Sequence, residues 1–215
     1  FLEAALAVLV GKLCRTSDVL IGTSVDTRTH PDLRDVVGCF ENTLLLRTVW
    51  TGDPTFQEVL AQARTRCLEA ITHRETGIDR VVSAMRGERD AGRGFLTSII
   101  YNDEEEIPDA VPFAGLSARL EPVMVGRSKF DLAVRVFELK ATGELGARLH
   151  LRTDLFSEAE VLRLWARLRV LLEAVVREPR IRLSHLELAS AEERAELAAL
   201  ARVRAPSPRA RTLLH

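Results

Sequence analysis

Residues 130–152 read FDLAVRVFELKATGELGARLHLR, and the alternation of apolar and polar side chains in this stretch decides the fold. Apolar side chains occupy every second position on both sides of the Lys140-Ala141-Thr142-Gly143 connection. A period of two is that of a strand with one buried face, and two such runs joined by a short Gly-containing segment predict a hairpin. The sequence therefore predicts antiparallel strands over residues 130–136 and 145–151.

A long helix is expected directly after this hairpin. Ser157 and Glu160 form the capping-box pattern that opens a helix. Apolar residues at helical spacing then run from Val161 to Val175, and Pro179 ends the pattern. A second capping box, Ser190 to Glu193, predicts a polar and peripheral helix rich in Ala, Glu and Arg.

Helices and strands alternate unevenly before the hairpin. The predicted elements are an amphipathic helix over residues 2–13, strands over 19–25 and 38–50, helices over 56–72 and 78–85, and strands over 95–101 and 116–123. Asp53 is expected to cap the helix at 56, with Pro54 in its first turn. Residues 102–112 are predicted to form an acidic loop. This order favours a mixed α/β layer fold with some antiparallel pairing.

Composition excludes several classes of function. The chain has 215 residues, of which 47% are hydrophobic and 28% are charged, as in an ordinary globular protein. Its formal net charge of −1 gives no global reason to expect nucleic acid or an anionic membrane as a partner. No apolar run approaches the roughly 18 residues of a membrane span. Cys14, Cys39 and Cys67 are too scattered for a disulfide framework, so a reduced, cytoplasmic setting is expected.

Both ends of the chain resemble cut points. The first helix begins at Phe1-Leu2 without a capping residue, which indicates a piece of a longer polypeptide. Residues 206–211 form a Pro/Arg stretch that we expect to link to another module, although an ordinary frayed tail is the alternative.

From the residues alone, no combination of nucleophile, general base and orienting group can be assigned. Residues 22–26 resemble the start of a nucleophile elbow, but Asp26 stands where the second Gly is required. Residues 92–94 lack the third Gly of a dinucleotide loop. The five histidines form no metal-binding or catalytic motif. Residues 103–106 are all acidic and are expected to be solvated, a metal or partner site being the weaker alternative.

Residues 37–47, VGCFENTLLLR, resemble the (I/V)GxFVNT…R signature of nonribosomal peptide synthetase condensation domains. Further segments match that family in order and spacing. With the family pattern in parentheses, they are residues 18–28 (DivvGtpvagR), 52–56 (gdptF), 86–96 (RDxSRNPL), 129–132 (KFDL), 153–156 (ytDLF), and residues 183–194, which match the C-terminal end of the family pattern. Each motif is weak alone, but together, in the same order and spacing, they identify the chain as similar to this family over nearly its whole length.

The resemblance implies an α/β mixed-sheet sandwich that forms the C-terminal lobe of a two-lobed, chloramphenicol-acetyltransferase-like fold. We expect this lobe to comprise residues 1–189, with residues 190–215 as a peripheral helix and linker toward the next module. In the family, the two lobes enclose a tunnel, and the catalytic HHxxxDG motif belongs to the N-terminal lobe. This chain alone is therefore expected to be inactive.

The resemblance also implies partners. Peptidyl carrier proteins would present a donor acyl or peptidyl thioester and an aminoacyl acceptor on phosphopantetheine arms, and no cofactor would bind this lobe directly. The N-terminal lobe of the same domain would be a further partner.

Four residues carry over from the family motifs as tunnel-lining or lobe-bridging residues: Asn42, Thr43, Arg28 and Arg47. The Asn42 amide could bind substrate or join elements of the structure. The two arginines are expected to be structural ion-pair or hydrogen-bond partners rather than catalysts.

Departures from the family motifs leave a second function open. The HQDxPFE motif reads HRETGID at residues 73–79, and Glu41 replaces the Val of FVNT. These changes suit a non-catalytic condensation-like domain that recruits tailoring haem oxygenases to a carrier-bound peptide. A free-standing half that pairs with a separate chain is a weaker alternative.

Overall fold

The computed structural model describes residues 1–84, 97–105, 110–121, 123, 126 and 128–203. The helices of this part are α1 (Leu2–Cys14), α2 (Phe56–Thr72), α3 (Ile78–Ala84), α4 (Glu158–Arg177) and α5 (Ala191–Val203), with 3-10 turns at Pro31–Leu33 and Leu183–His185. The strands are β1 (Asp18–Asp26), β2 (Glu41–Val49), β3 (Ile99–Glu104), β4 (Ala110–Phe113), β5 (Leu116–Arg119), β6 (Leu132–Glu138) and β7 (Leu145–Leu151).

The main sheet is mixed, as the sequence predicts, with the strand order β2-β1-β3-β6-β7. β1 runs parallel to β3, and β3 runs parallel to β6. β2 and β7 add antiparallel strands at the two edges. The predicted hairpin is confirmed as β6–β7, and Gly143 in its connection adopts a φ of 70°, a backbone conformation that glycine tolerates best.

Helix α1 lies at the centre of the molecule and joins two hydrophobic cores. Leu6 and Ala7 pack on the sheet, against Val19 and Ile21 among others. The opposite side of α1 packs on α2 and α4, where Phe56 and Leu171 are fully buried. The prediction of a single apolar stripe is therefore wrong: residues 4–9 are all buried, because helices as well as the sheet cover α1.

The predicted start of α2 needs correction. Its N-cap is Thr55, which forms a capping box with Glu58, rather than Asp53. Asp53 instead accepts hydrogen bonds from the backbone N–H and the hydroxyl of Ser184, at 2.8 and 2.7 Å. Two capping residues lie within three positions of the sequence, and the one that has a glutamate three residues later opens the helix.

The two C-terminal helices begin where the capping patterns predict. Ser157 and Glu160 form the complete box of α4. At α5 only half of the predicted box forms, since the Ser190 hydroxyl accepts from the Glu193 N–H at 3.1 Å. The Glu193 carboxylate is engaged by the Arg167 guanidinium instead. This ion pair connects α5 to α4.

The middle of the chain differs most from prediction. Residues 102–104 continue strand β3 rather than forming an acidic loop, because they pair with β6. The predicted strand 116–123 is shorter, and it pairs with the unpredicted strand β4 in a separate two-stranded sheet. The predicted strand at residue 38 begins only at Glu41. The family-like segment 86–96 and the linker 206–211 lie outside the described residues.

No helix within the described ranges is both long and apolar enough to cross a bilayer.

Candidate functional site

A cleft of about 360 Å³ lies at the end of the sheet where β1 finishes and β2 begins. It is lined by Ser24, Val25, Asp26, Arg28, Gly38, Cys39, Phe40 and Glu41. Arg28 therefore reaches the cleft, and the next two predicted site residues, Asn42 and Thr43, follow its last lining residue in β2. We call this cavity the strand-end cleft.

Arg28 holds the loop that forms one wall of the strand-end cleft. Its guanidinium donates to the carbonyls of Leu33, Val36 and Gly38 at 3.3, 3.4 and 3.3 Å. It also stacks on the Phe40 ring, with 4.3 Å from the guanidinium carbon to the ring centroid, and contacts Asp26 at 3.5 Å. Three N–H donors of Arg28 are thus engaged with the backbone of its own loop.

Asn42 connects β2 to the segment between α2 and α3. Its side-chain N–H₂ donates to the carbonyls of Arg74 and Thr76, both at 2.8 Å. Its side-chain oxygen accepts from the N–H of Thr43 at 2.9 Å and of Ile78 at 3.2 Å. An amide has two donors and two acceptor positions, so these four hydrogen bonds use its full capacity.

This arrangement relates two of the family-like motifs. The NT of residues 42–43 and the HRETGID of residues 73–79 are far apart in sequence, and the Asn42 side chain hydrogen-bonds only with backbone atoms of the second motif. These hydrogen bonds do not involve the side chains of residues 73–79. The Thr29 hydroxyl adds a 3.3 Å hydrogen bond to Glu75, which links the same segment to the Arg28 loop.

Thr43 differs from Asn42 in what its side chain can still bind. Thr43 lies opposite Ser24 in the β1–β2 register. Within the described part of the chain, its hydroxyl makes no hydrogen bond. Of the three predicted site residues near the strand-end cleft, Arg28, Asn42 and Thr43, only Thr43 has a side chain without a hydrogen bond in the described structure.

Arg47 lies apart from the other three predicted residues. It is five residues beyond Asn42 on β2, a separation of about 17 Å along a strand. Its guanidinium binds both carboxylate oxygens of Asp18, at 2.8 and 2.6 Å, and this hydrogen bonding lowers the pKa of Asp18. Arg47 lines a second cleft of about 650 Å³ between β2 and α2, so the structure does not bring all four residues into one site.

Sequence reasoning missed Asn102, which lies beside the strand-end cleft. Its side-chain oxygen accepts from the Ser24 N–H at 2.8 Å, and the Ser24 hydroxyl donates to Glu41 at 2.8 Å. The sequence pattern predicts an acidic loop at Asn102. Only the pairing of β3 with β6 shows that it belongs to the sheet, and nothing local in the sequence signals that pairing.

Other candidate groups are not arranged for catalysis. Residues 22–26 lie within the extended strand β1 and not on a strand-to-helix turn, so they form no nucleophile elbow. Among the residues that the structure describes, no group of three or more His, Cys, Asp or Glu side chains could hold a metal ion.

One titratable group in α1 has an unusual environment. The Oε1 atom of Glu3 is buried and has no hydrogen-bond partner in the described structure. Burial raises the pKa of Glu3 from 4.5 to about 7. Burial also raises the pKa of the Tyr101 hydroxyl, which donates to Asp103 at 2.6 Å, and of the Cys67 thiol.

Comparison with known proteins shows which family this chain resembles. A family model described as "Condensation domain" matches residues 1–198. Surfactin synthase subunit 2 of Bacillus subtilis (strain 168) is 33% identical over 199 residues, which is 92% of this chain and 5% of that protein. Chondramide synthase cmdD of Chondromyces crocatus is 31% identical over 196 residues, 91% of this chain and 5% of that protein. The chain thus spans a small part of the length of these relatives.

Solved structures share the fold. Holo-AB3403, a four-domain nonribosomal peptide synthetase bound to AMP and glycine, matches 88% of this chain and 15% of that chain, with a TM-score of 0.79 and 24% identity. The X-domain in its complex with OxyB from teicoplanin biosynthesis matches 88% of this chain and 42% of that chain, with a TM-score of 0.76 and 29% identity.

Proposed function

Because this chain belongs to the condensation-domain family of nonribosomal peptide synthetases, we propose that it forms the C-terminal lobe of a domain that makes an amide bond between two carrier-bound substrates. The observation that carries the proposal is the family match over residues 1–198. The mixed sheet of the expected type supports it. The lobe assignment draws support from the X-domain comparison, in which this chain corresponds to 42% of the other.

The proposed reaction joins an acceptor amine to a donor thioester. The amine nitrogen attacks the thioester carbonyl carbon, the C–N bond forms, the C–S bond breaks, and the thiol of the donor's phosphopantetheine arm leaves with a proton. The histidine that the family resemblance implies in the N-terminal lobe would deprotonate or position the amine. Holding two tethered substrates in line would supply much of the rate.

The residues of this chain would shape one wall of the substrate tunnel. Arg28 and Asn42 are engaged with the protein itself, so we assign them the positioning of the loop and connector around the strand-end cleft. Thr43 is the residue we propose to face substrate, because its hydroxyl is without a partner in the described structure. Arg47, held by Asp18, would stabilise the far end of β2.

Peptidyl carrier proteins with their phosphopantetheine arms are the partners that this function requires, together with the N-terminal lobe. A cytoplasmic location is part of the same proposal, and the free thiols of Cys14, Cys39 and Cys67 are compatible with it.

A non-catalytic recruitment function is the second candidate. It is favoured by the similarity to the X-domain whose structure was solved with OxyB, at 29% identity. In that case this lobe would contribute to a docking surface for a tailoring haem oxygenase. The departures at Glu41 and residues 73–79 agree with a domain that has diverged from the usual condensation pattern.

An assay on the polypeptide that carries this domain separates the two candidates. Donor and acceptor carrier proteins are loaded with aminoacyl groups, and amide product on the acceptor is measured by mass spectrometry. Product formation supports the condensation function. Carrier-dependent binding of a haem oxygenase without product would instead support recruitment.

A further inference from the structure

Glu41 is the first residue of β2 and lines the strand-end cleft. Side chains of a strand alternate between the two faces of the sheet, so Glu41 and Thr43 lie on the same face, about 7 Å apart along the strand. Asn42 lies between them and points the other way, where it binds the connector between α2 and α3. Glu41 is therefore the neighbour, on the same face, of the residue that we propose to face substrate.

Glu41 also replaces an uncharged residue of the family-like motif, in which Val precedes the Asn and the Thr. Its carboxylate accepts a 2.8 Å hydrogen bond from the Ser24 hydroxyl, which is a neutral partner. Within the described residues, Glu41 forms no ion pair. The motif thus carries a negative charge that no described residue neutralises.

The other charges of the strand-end cleft do not compensate Glu41. The cleft is also lined by Asp26 and Arg28, and Nη1 of Arg28 lies 3.5 Å from Oδ1 of Asp26. Further donors of Arg28 bind the carbonyls of its own loop. Asp26 is moreover the direct cross-strand partner of Glu41, and like charges in such positions destabilise a sheet. A positive charge from a ligand would therefore complement this cleft.

The cleft has room for one side chain. Its volume of about 360 Å³ lies at the lower end of the range of small-ligand pockets. Val25, Cys39 and Phe40 contribute to its lining together with the charged residues. A long cationic side chain can pack its methylene stem on apolar surface while its charged end meets a polar group. An ammonium group on an aliphatic stem therefore suits both parts of this lining.

We propose that Glu41 makes the strand-end cleft selective for a carrier-bound amino acid whose side chain ends in an ammonium group, as in lysine or ornithine. The ammonium would donate a charge-assisted hydrogen bond to the Glu41 carboxylate. An uncharged side chain of the same length cannot form this bond, and an acidic one would be repelled. The inference rests on the proposed function, because that function brings an aminoacyl group to this cleft.

Binding of small probes to the full chain tests this selectivity without any catalysis. The probes are Nα-acetyl-lysine methylamide and Nα-acetyl-norleucine methylamide, which have similar stems and differ in the ammonium group. In a chemical-shift titration, the lysine probe should bind about three- to fivefold more tightly, as expected for an ion pair at an exposed carboxylate. Added salt should reduce the difference, because it screens the charges. Equal affinities for the two probes at low salt would overturn the proposal.

Two glutamate variants localise the effect. Glu41→Gln removes the charge and keeps an oxygen that can accept from Ser24, so it should bring the two affinities together. Glu138→Gln makes the same change at an exposed position at the end of β6, three strands away from β2 in the sheet, and should retain the preference for lysine. A preference that persists in Glu41→Gln, or that both variants lose equally, would contradict the role of Glu41.

The polypeptide that carries this domain tests the consequence for substrate choice. Lysine and norleucine are loaded in turn on the donor and on the acceptor carrier, and amide product is measured by mass spectrometry. We expect the wild type to favour lysine severalfold on one of the two carriers, and Glu41→Gln to lose this preference. Product without such a preference on either carrier would contradict the inference and leave the proposed amide formation intact. Absence of all product would count against amide formation, and the binding titration would still decide the role of Glu41.

Discussion

The Asn42 side chain donates a 2.8 Å hydrogen bond to the main-chain carbonyl of Thr76, and this contact fixes the connector between α2 and α3 against the first residues of β2. The Asn42 side chain makes three further hydrogen bonds, all with backbone groups. A residue that the family resemblance places at the tunnel is thus fully occupied by backbone groups of this chain. We therefore expect Asn42 to act on function only through the position of its neighbours.

Asn42→Ala is expected to destabilise the fold by about 1–3 kcal/mol, because it leaves backbone groups of the connector without their partners. Urea unfolding measures the change. Thr43→Val is the matched control, since it keeps the side-chain shape and removes a hydroxyl that has no partner in the described structure. Unchanged stability of Asn42→Ala would show that the amide is not a structural connection.

Thr43→Val is expected to lower amide product formation in the parent polypeptide about tenfold, a loss of roughly 1.4 kcal/mol in transition-state stabilisation, while its thermal midpoint stays within error of the wild type. The assay with loaded carrier proteins measures the first quantity and calorimetry the second. Full activity of the variant would remove Thr43 from the substrate-facing residues.

Arg28→Lys is expected to loosen the loop over residues 29–40. Lysine keeps the charge but cannot reproduce the planar set of donors that binds three carbonyls and stacks on Phe40. Limited proteolysis should cut this loop faster in the variant. Arg34→Lys is the control, because Arg34 lies in the same loop and its side chain makes no hydrogen bond in the described structure. Equal cleavage of the two variants would argue against the role of Arg28.

Glu3 is expected to make stability fall as the pH rises from about 4.5 to about 7. The pKa of Glu3 in the folded state is raised to about 7 from 4.5, so over this window the folded state binds more protons than the unfolded state. Above about pH 7, the buried and charged Glu3 carboxylate opposes folding by on the order of 1–3 kcal/mol. Glu3→Gln should flatten this dependence and stabilise the protein at pH 8.

Urea titrations between pH 5 and pH 8 measure this effect. Glu173→Gln, at an exposed position of α4, is the control for the loss of one carboxylate. An identical pH dependence of the wild type and Glu3→Gln would contradict the assignment of the effect to Glu3.

The sequence predicts those parts of the fold whose signals are local. The β6–β7 hairpin follows from a period of two and a Gly-containing turn, and the start of α4 follows from one capping box. Helix α1 shows the limit of such reasoning, because an apolar helix gives no indication of how many neighbours will cover it. The start of α2 is ambiguous in the sequence because Asp53 and Thr55 are both good caps, and in the structure Thr55 forms the capping box while Asp53 binds Ser184.

The candidate site depends more strongly on long-range contacts. The family resemblance singles out Asn42, but three of its four partners are backbone groups more than thirty residues away, which no pattern in the sequence marks. Arg47 belongs to the same family-like motif as Asn42, but it lines the second cleft and not the strand-end cleft. Asn102 joins the strand-end cleft only through sheet pairing.

Amide formation by the polypeptide that carries this domain is the most direct test of the account. With a donor and an acceptor carrier protein both loaded, we predict an amide product on the acceptor carrier, detected by mass spectrometry and absent when either carrier is unloaded. Failure to form product with a range of loaded aminoacyl pairs, by a polypeptide that still folds and binds both carriers, would contradict the proposed condensation function.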